Sequence, residues 1–155
     1  MSHIHEQIDF VADVFIVYRD KVFLRMHDKL HVWLSPGGHI ELDEEPNHAA
    51  IREAKEEAGL DIELVGTKTD FPSEYLGFEH LIPPRFLNIH NIGANHKHIS
   101  FVYFARTLTD AVKPSGDDIS NEWRWLAKSE LEKNELGVLE PTRTYALTAL
   151  SELSS

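Results

Sequence analysis

The chain has 155 residues, 42% of them hydrophobic, which suits one domain over residues 1–155 with a real core and no Pro/Gly/Ser-rich divide. It contains no cysteine, which excludes disulfides, thiolate metal sites and cysteine nucleophiles, and it has no apolar run long enough to span a membrane. The formal net charge of −11 argues against general nucleic-acid binding, which needs basic surface to neutralise phosphates.

In chain order, the opening MSHIHEQIDF lacks the basic-then-apolar layout of a signal peptide, so a cytoplasmic protein that avoids membranes is expected. Residues 8–18, IDFVADVFIVY, are rich in β-branched and aromatic residues and read as a strand. A polar turn at Arg19-Asp20-Lys21 leads to a second strand over 22–26, giving a hairpin. After Val32-Trp33-Leu34 comes Ser35-Pro36-Gly37-Gly38, a turn in which glycine supplies conformations that other residues resist. A short strand is expected over 39–41. Pro46 suits a first helical position, and Gly59 suits the residue after a helix end. Within that helix Ala50, Ala54 and Ala58 form a stripe of small side chains that lets it approach a sheet closely. Strands follow over 60–67, 85–92, 99–106 and 122–126. Ser129 is placed to cap a brief helix, and 141–153 has helical spacing. This order predicts an α/β protein with a mixed β-sheet between helical layers.

Charge is concentrated. From Glu41 to Glu63 there are nine acids against two bases, so seven of the eleven net negative charges sit in one short stretch. Glu53, Glu56 and Glu57 fall three and four residues apart on the helix and share a face. Like charges at that spacing weaken a helix, and a hard divalent cation relieves the repulsion through the oxygen ligands that Mg²⁺ and Mn²⁺ prefer.

The 23 residues from Gly38 to Leu60 resemble the signature of the Nudix hydrolases, G-x5-E-x7-R-E-U-x-E-E-x-G-U, where U is a bulky aliphatic residue. The matching positions are Gly38, Glu44, Arg52, Glu53, Glu56, Glu57, Gly59 and Leu60; Ala54 stands where the first U is usually larger and is expected to face the core. The resemblance implies an α/β/α sandwich and a Mg²⁺-dependent hydrolase (Mn²⁺ serving as well). Its substrate would be a nucleotide-type small molecule, a nucleoside diphosphate linked to some group X. It implies that Glu53, Glu56, Glu57 and the Gly37 carbonyl hold metal, and that Arg52 pairs with Glu44 to fix loop against helix. Arg52 itself is expected to point away from Glu53, its neighbour in sequence. Homodimers are common among such proteins. The alternative is a non-catalytic Nudix-like nucleotide-binding sensor, which would be expected to lose box carboxylates or add a DNA-binding module; this chain keeps every one of them.

Glu53, Glu57, Arg52 and Glu44 are the catalytic candidates, and the general base is open between Glu53 and an acid in KPSGDDISNEW, where Asp117, Asp118 and Glu122 lie. For substrate contact the candidates are Arg25, His39, Asp118 and Glu122, with Arg85 and Lys97 behind them. Trp33, Tyr75, Phe86, Trp123 and Trp125 are candidates for stacking on a base. Ten histidines are many for this length, and His90, His96 and His98 invite a zinc reading. Their alternation matches no zinc motif, so surface histidine or phosphate contact ranks above zinc.

Overall fold

The structure, a computed structural model, describes residues 7–116 and 120–155. Eight strands, β1 (Ile8–Tyr18), β2 (Lys21–His27), β3 (Val32–Leu34), β4 (Gly37–His39), β5 (Ile62–Val65), β6 (Phe86–Gly93), β7 (His96–Thr107) and β8 (Trp123–Ala127), form one sheet with helices α1 (Pro46–Ala58), α2 (Lys128–Lys133) and α3 (Thr142–Leu153). The path through the sheet runs β3-β2-β1-β7-β5, while β4 adds to β1, β6 to β7 and β8 to β2. β1 and β7, the two longest strands, run parallel at the centre from Ile8 opposite Lys97 to Val17 opposite Arg106. Every other pairing is antiparallel. The sheet is therefore mixed, as expected.

Alternation along β1 builds both layers of the core. Ala12, Val14 and Ile16 turn to one face and meet the alanines of α1, including Ala50, Ala54 and Ala58, all fully buried. Phe15 and Val17 turn to the other and meet Ala146, Ala149, Leu150 and Leu153 of α3. The result is an α/β/α sandwich. Ala54 does face the core, and the small-residue stripe is what brings α1 down onto the sheet.

Three expectations shift. The short strand falls at Gly37–His39 instead of 39–41, because these three residues pair with β1, and at the first of them β1 leaves no room for a side chain. A Cβ on Gly37 would stand 2.8 Å from the Ala12 carbonyl oxygen. Neither Gly37 nor Gly38 has positive φ, so their requirement is space and not conformation. The brief helix begins after Ala127, not at Ser129; Glu130 accepts the Ala127 N–H at 2.8 Å and supplies the cap from inside the helix. The strand expected over 60–67 is confined to Ile62–Val65, since Leu60 is buried with the α1 alanines. Among the described residues no helix is long and apolar enough to cross a membrane.

Candidate active site

The ends of α1 are fixed before its glutamates do anything. Glu45 caps the start, accepting the N–H groups of Asn47 and His48, and Pro46 occupies the first turn. Gly59 stops the helix in the left-handed region at φ 69°, where a Cβ would also lie 2.0 Å from the Lys113 carbonyl oxygen. With the alanine stripe buried, the adjoining flank carries Arg52, Glu53, Glu56 and Glu57 against β4 and the end of β2. Glu53 and Glu57 are only 4% and 7% exposed. The Glu56 side chain is 45% exposed, so the cluster opens to solvent on its side.

Arg52 organises this flank. Its Nε and Nη2 donate to the two Glu44 oxygens at 2.7 and 3.0 Å, the expected loop-to-helix fork. Nη2 also donates to the His39 carbonyl at 3.0 Å. Contrary to expectation, Arg52 does not point away from Glu53. Its long side chain curls back so that Nη1 lies 3.0 Å from Glu53 Oε1 and 3.3 Å from Glu56 Oε2. Burial alone would raise the Glu44 carboxyl; Arg52, the Glu41 N–H and His48 outweigh it and hold it at about 2. For Glu53 burial wins and its carboxyl is pushed up against the pull of Arg52. The Arg52 guanidinium is raised, chiefly by its bond to Glu44.

Glu57 is gripped from two sides. The Gly37 N–H donates to its Oε1 at 2.6 Å, and Arg25 Nη1 lies 2.5 Å from its Oε2. Arg25, a candidate for substrate phosphate, is thus 4% exposed with its guanidinium on a glutamate. Gly38 is vacated for Glu53: a Cβ there would stand 2.2 Å from Glu53 Oε1. The structure therefore brings together Arg25, Gly37, Gly38, Glu44, Arg52, Glu53, Glu56 and Glu57.

The other candidates lie elsewhere. His39 sends its carbonyl to Arg52 but its imidazole to Asp9, with Nε2 3.3 Å from Asp9 Oδ2. Glu122 is exposed and pairs with Arg124 at 3.2 Å. Asp117 and Asp118 lie outside the described residues. Trp33 is core, Phe86 stacks on Tyr145, and Trp123 and Trp125 pack against the α1-side core, while Tyr75 is exposed.

Two acids were missed from sequence. Asp9 and Asp13 occupy α3-side positions of β1, and acids at alternate positions of an apolar strand were the available signal. Asp13 is buried beneath Gly37 and accepts a hydrogen bond from Ser100 Oγ; burial pushes its carboxyl up. Asp9, 1% exposed, sits among His39, His96 and His98. Burial first, then the neighbouring His39, His90 and His96, lower the His98 imidazole to about 4.

Comparison with known proteins bears on this geometry. Residues 9–147 match the model of the NUDIX domain. The chain is similar to a crystal structure of a NUDIX-family hydrolase from Clostridium perfringens, with 37% identity, TM-score 0.82, and coverage of 94% of this chain and 98% of that one. It is also similar to a probable DHNTP pyrophosphohydrolase from Lactococcus lactis subsp. cremoris, 32% identical over 64% of this chain and 55% of that protein. A third likeness, to the m7GpppN-mRNA hydrolase NUDT17 of Danio rerio, is 32% identity over 51% of this chain. The chain's matches span 25% and 55% of the lengths of these two curated relatives.

Proposed function

Because the chain belongs to the NUDIX family, we propose that it is a divalent-metal-dependent pyrophosphohydrolase that splits the phosphoric anhydride of a nucleoside diphosphate linked to a further group X. The observation that carries this reading is a charge count. Glu41, Glu44, Glu53, Glu56 and Glu57 bring five carboxylates into the cluster, and Arg25 and Arg52 bring two guanidiniums. The surplus of negative charge on oxygen donors, beside the solvent-facing Glu56, fits a hard divalent ion such as Mg²⁺ or Mn²⁺. Glu53, Glu56, Glu57 and the Gly37 carbonyl would hold it. Bound there, such an ion would neutralise phosphate oxygens and lower the pKa of water.

The residues' own parts follow from their contacts. Arg52 fixes the Glu53 and Glu56 carboxylates and ties them to the loop through Glu44. Arg25 and the Gly37 N–H hold Glu57 in a single orientation, so neither has to be ordered when substrate arrives. Glu53 is a candidate to accept the proton of attacking water, since a carboxylate beside a metal-bound water can take that proton. Asp118 and Glu122 stay as alternative bases or substrate contacts, and His39 acts on the site through its backbone carbonyl. The Lactococcus likeness favours a triphosphate substrate.

The test is turnover of a panel of nucleoside triphosphates, dinucleotides, nucleotide sugars and DHNTP, with both products identified, with and without Mg²⁺. We expect metal-dependent cleavage, and a loss of roughly 100-fold or more in kcat/KM for Glu57→Gln. A folded protein that cleaves nothing, or a Glu57→Gln variant as fast as wild type, would remove the proposal.

A further inference from the structure

The sheet face turned away from α1 carries ligand-type side chains that the chemistry above does not use. Asp9 lies on β1. His98 stands directly opposite it on β7, and partners in a parallel pair share a face. His39, on β4, stands opposite Val11, two residues from Asp9 and on that same face. Three strands thus deliver a carboxylate and two imidazoles to one place, where their ligand atoms lie within 4.8 Å of one another. A third imidazole, His96, approaches the same carboxylate, with Nε2 3.2 Å from Asp9 Oδ2.

We propose that Asp9, His39 and His98 form a second metal site, separate from the glutamate cluster, that takes one late first-row divalent ion of the zinc type, with His96 orienting Asp9. The donor set decides the class. Two imidazoles and a carboxylate suit Zn²⁺ and its neighbours, whereas Mg²⁺ takes oxygen alone. Zinc bond lengths near 2.0–2.1 Å put tetrahedral ligands about 3.3 Å apart, and His39 Nε2 already lies 3.3 Å from Asp9 Oδ2. The rings of His39 and His98 are edge to face with centroids 5.1 Å apart, an arrangement that converges nitrogens and not faces. Asp9 and His39 are buried, while His98 is partly exposed and adjoins the exposed His90. The sequence alone could not favour this reading, because the carboxylate lies 87 residues before His96.

The site's place gives it a role. An ion there staples β4 to β1 and β7. β4 is also the strand whose Gly37 N–H holds Glu57 and whose His39 carbonyl holds Arg52. Occupancy would stiffen the backbone beneath the glutamates.

The experiment uses the full chain, stripped with EDTA and titrated with Zn²⁺ in excess Mg²⁺, which keeps the glutamate cluster occupied. We expect one Zn²⁺ per chain by calorimetry, and a Tm rise of about 5 to 10 °C at zinc a hundredfold above Kd. His98→Ala should abolish this binding, His96→Ala should weaken it about 10- to 100-fold, and Glu57→Gln should leave it intact. A wild type that takes no Zn²⁺ in excess Mg²⁺, or a His98→Ala chain that binds it unchanged, overturns the proposal. Should the variants not fold, Co²⁺-loaded wild type decides. Intense visible bands of a four- or five-coordinate ion support the site, and the weak bands of a six-coordinate one overturn it. None of these readouts depends on hydrolysis, so the site can fail while the activity stands, and the reverse.

Discussion

Gly38→Ala should separate the chemistry of the glutamate cluster from the stability of the fold. The added Cβ would stand 2.2 Å from Glu53 Oε1 and 2.7 Å from its Cδ. Ordinary contact requires about 3.4 Å or more, so the carboxylate must retreat by roughly 1 Å. It can do so, because what gives way is the end of a flexible side chain. The stability cost is then below about 1 kcal/mol, a Tm change under about 4 °C. The functional cost is large: displacing a reacting group or ligand by about 1 Å is worth roughly 100-fold in rate. Gly37→Ala is the contrast. Its Cβ meets Asp13 Oδ1 at 2.1 Å and also backbone, Ala12 O at 2.8 Å and Asp13 Cα at 3.1 Å, which yields only if β4 lifts off β1. Overpacking of this kind costs about 1 to 3 kcal/mol, or about 3 to 10 °C in Tm. Thermal melts beside kcat/KM and Mg²⁺ affinity read both effects. A Gly38→Ala enzyme with wild-type kcat/KM, or a Gly37→Ala chain with wild-type Tm, refutes the geometry on which the site is built.

Other consequences are open to the same measurements. Arg25→Met leaves the buried Glu57 carboxylate short of a cation; metal-free protein should lose about 3 kcal/mol, and Mg²⁺ should raise the variant's Tm more than the wild type's. Glu44 is lowered from 4.5 to about 2 in the fold, so its tie to Arg52 contributes fully above pH 4.5 and is lost as pH falls through about 2. The Tm gap between wild type and Glu44→Gln should therefore be constant above pH 5 and close towards pH 2; screening by solvent limits it to about 1 to 2 kcal/mol. Asp13 has the opposite sign. Its raised carboxyl weakens the fold as pH climbs above its unfolded value of 3.8, so Asp13→Asn should gain a few degrees of Tm at pH 7 and nothing near pH 4.

What the sequence disclosed depended on whether the information was local. The box was legible because helix periodicity places Glu53, Glu56 and Glu57 together within five residues, and Pro46 and Gly59 mark the ends. The strands over 8–18 and 99–106 were legible because they are long and β-branched. Arg25 was misplaced for a different reason. Nothing near it in the chain says that β2 will end beside Glu57, 32 residues on, so an arginine paired with a buried glutamate looks like one that waits for phosphate. Asp9 was invisible as a partner of His98 until the parallel pairing of β1 and β7 was known, and parallel pairing is a long-range fact.

Most of these observations meet in β4, and the alternation of three residues explains why. On the α1 side, Gly38 yields its side-chain volume to the Glu53 carboxylate. On the opposite side, Gly37 yields to Asp13 and His39 extends an imidazole to Asp9. Meanwhile the strand's backbone serves the glutamate cluster, Gly37 N–H to Glu57 and His39 carbonyl to Arg52. A displacement of β4 along its own axis would therefore act on Glu57, Arg52 and the Asp9–His39 contact together. Substitutions at either face of the strand should accordingly be non-additive in their effect on kcat/KM, even where their side chains never touch. A double-mutant cycle between Gly38→Ala and His39→Asn measures that coupling. Strict additivity would mean that the two faces of β4 work independently, and the strand would then be a spacer and not the shared support that its contacts describe.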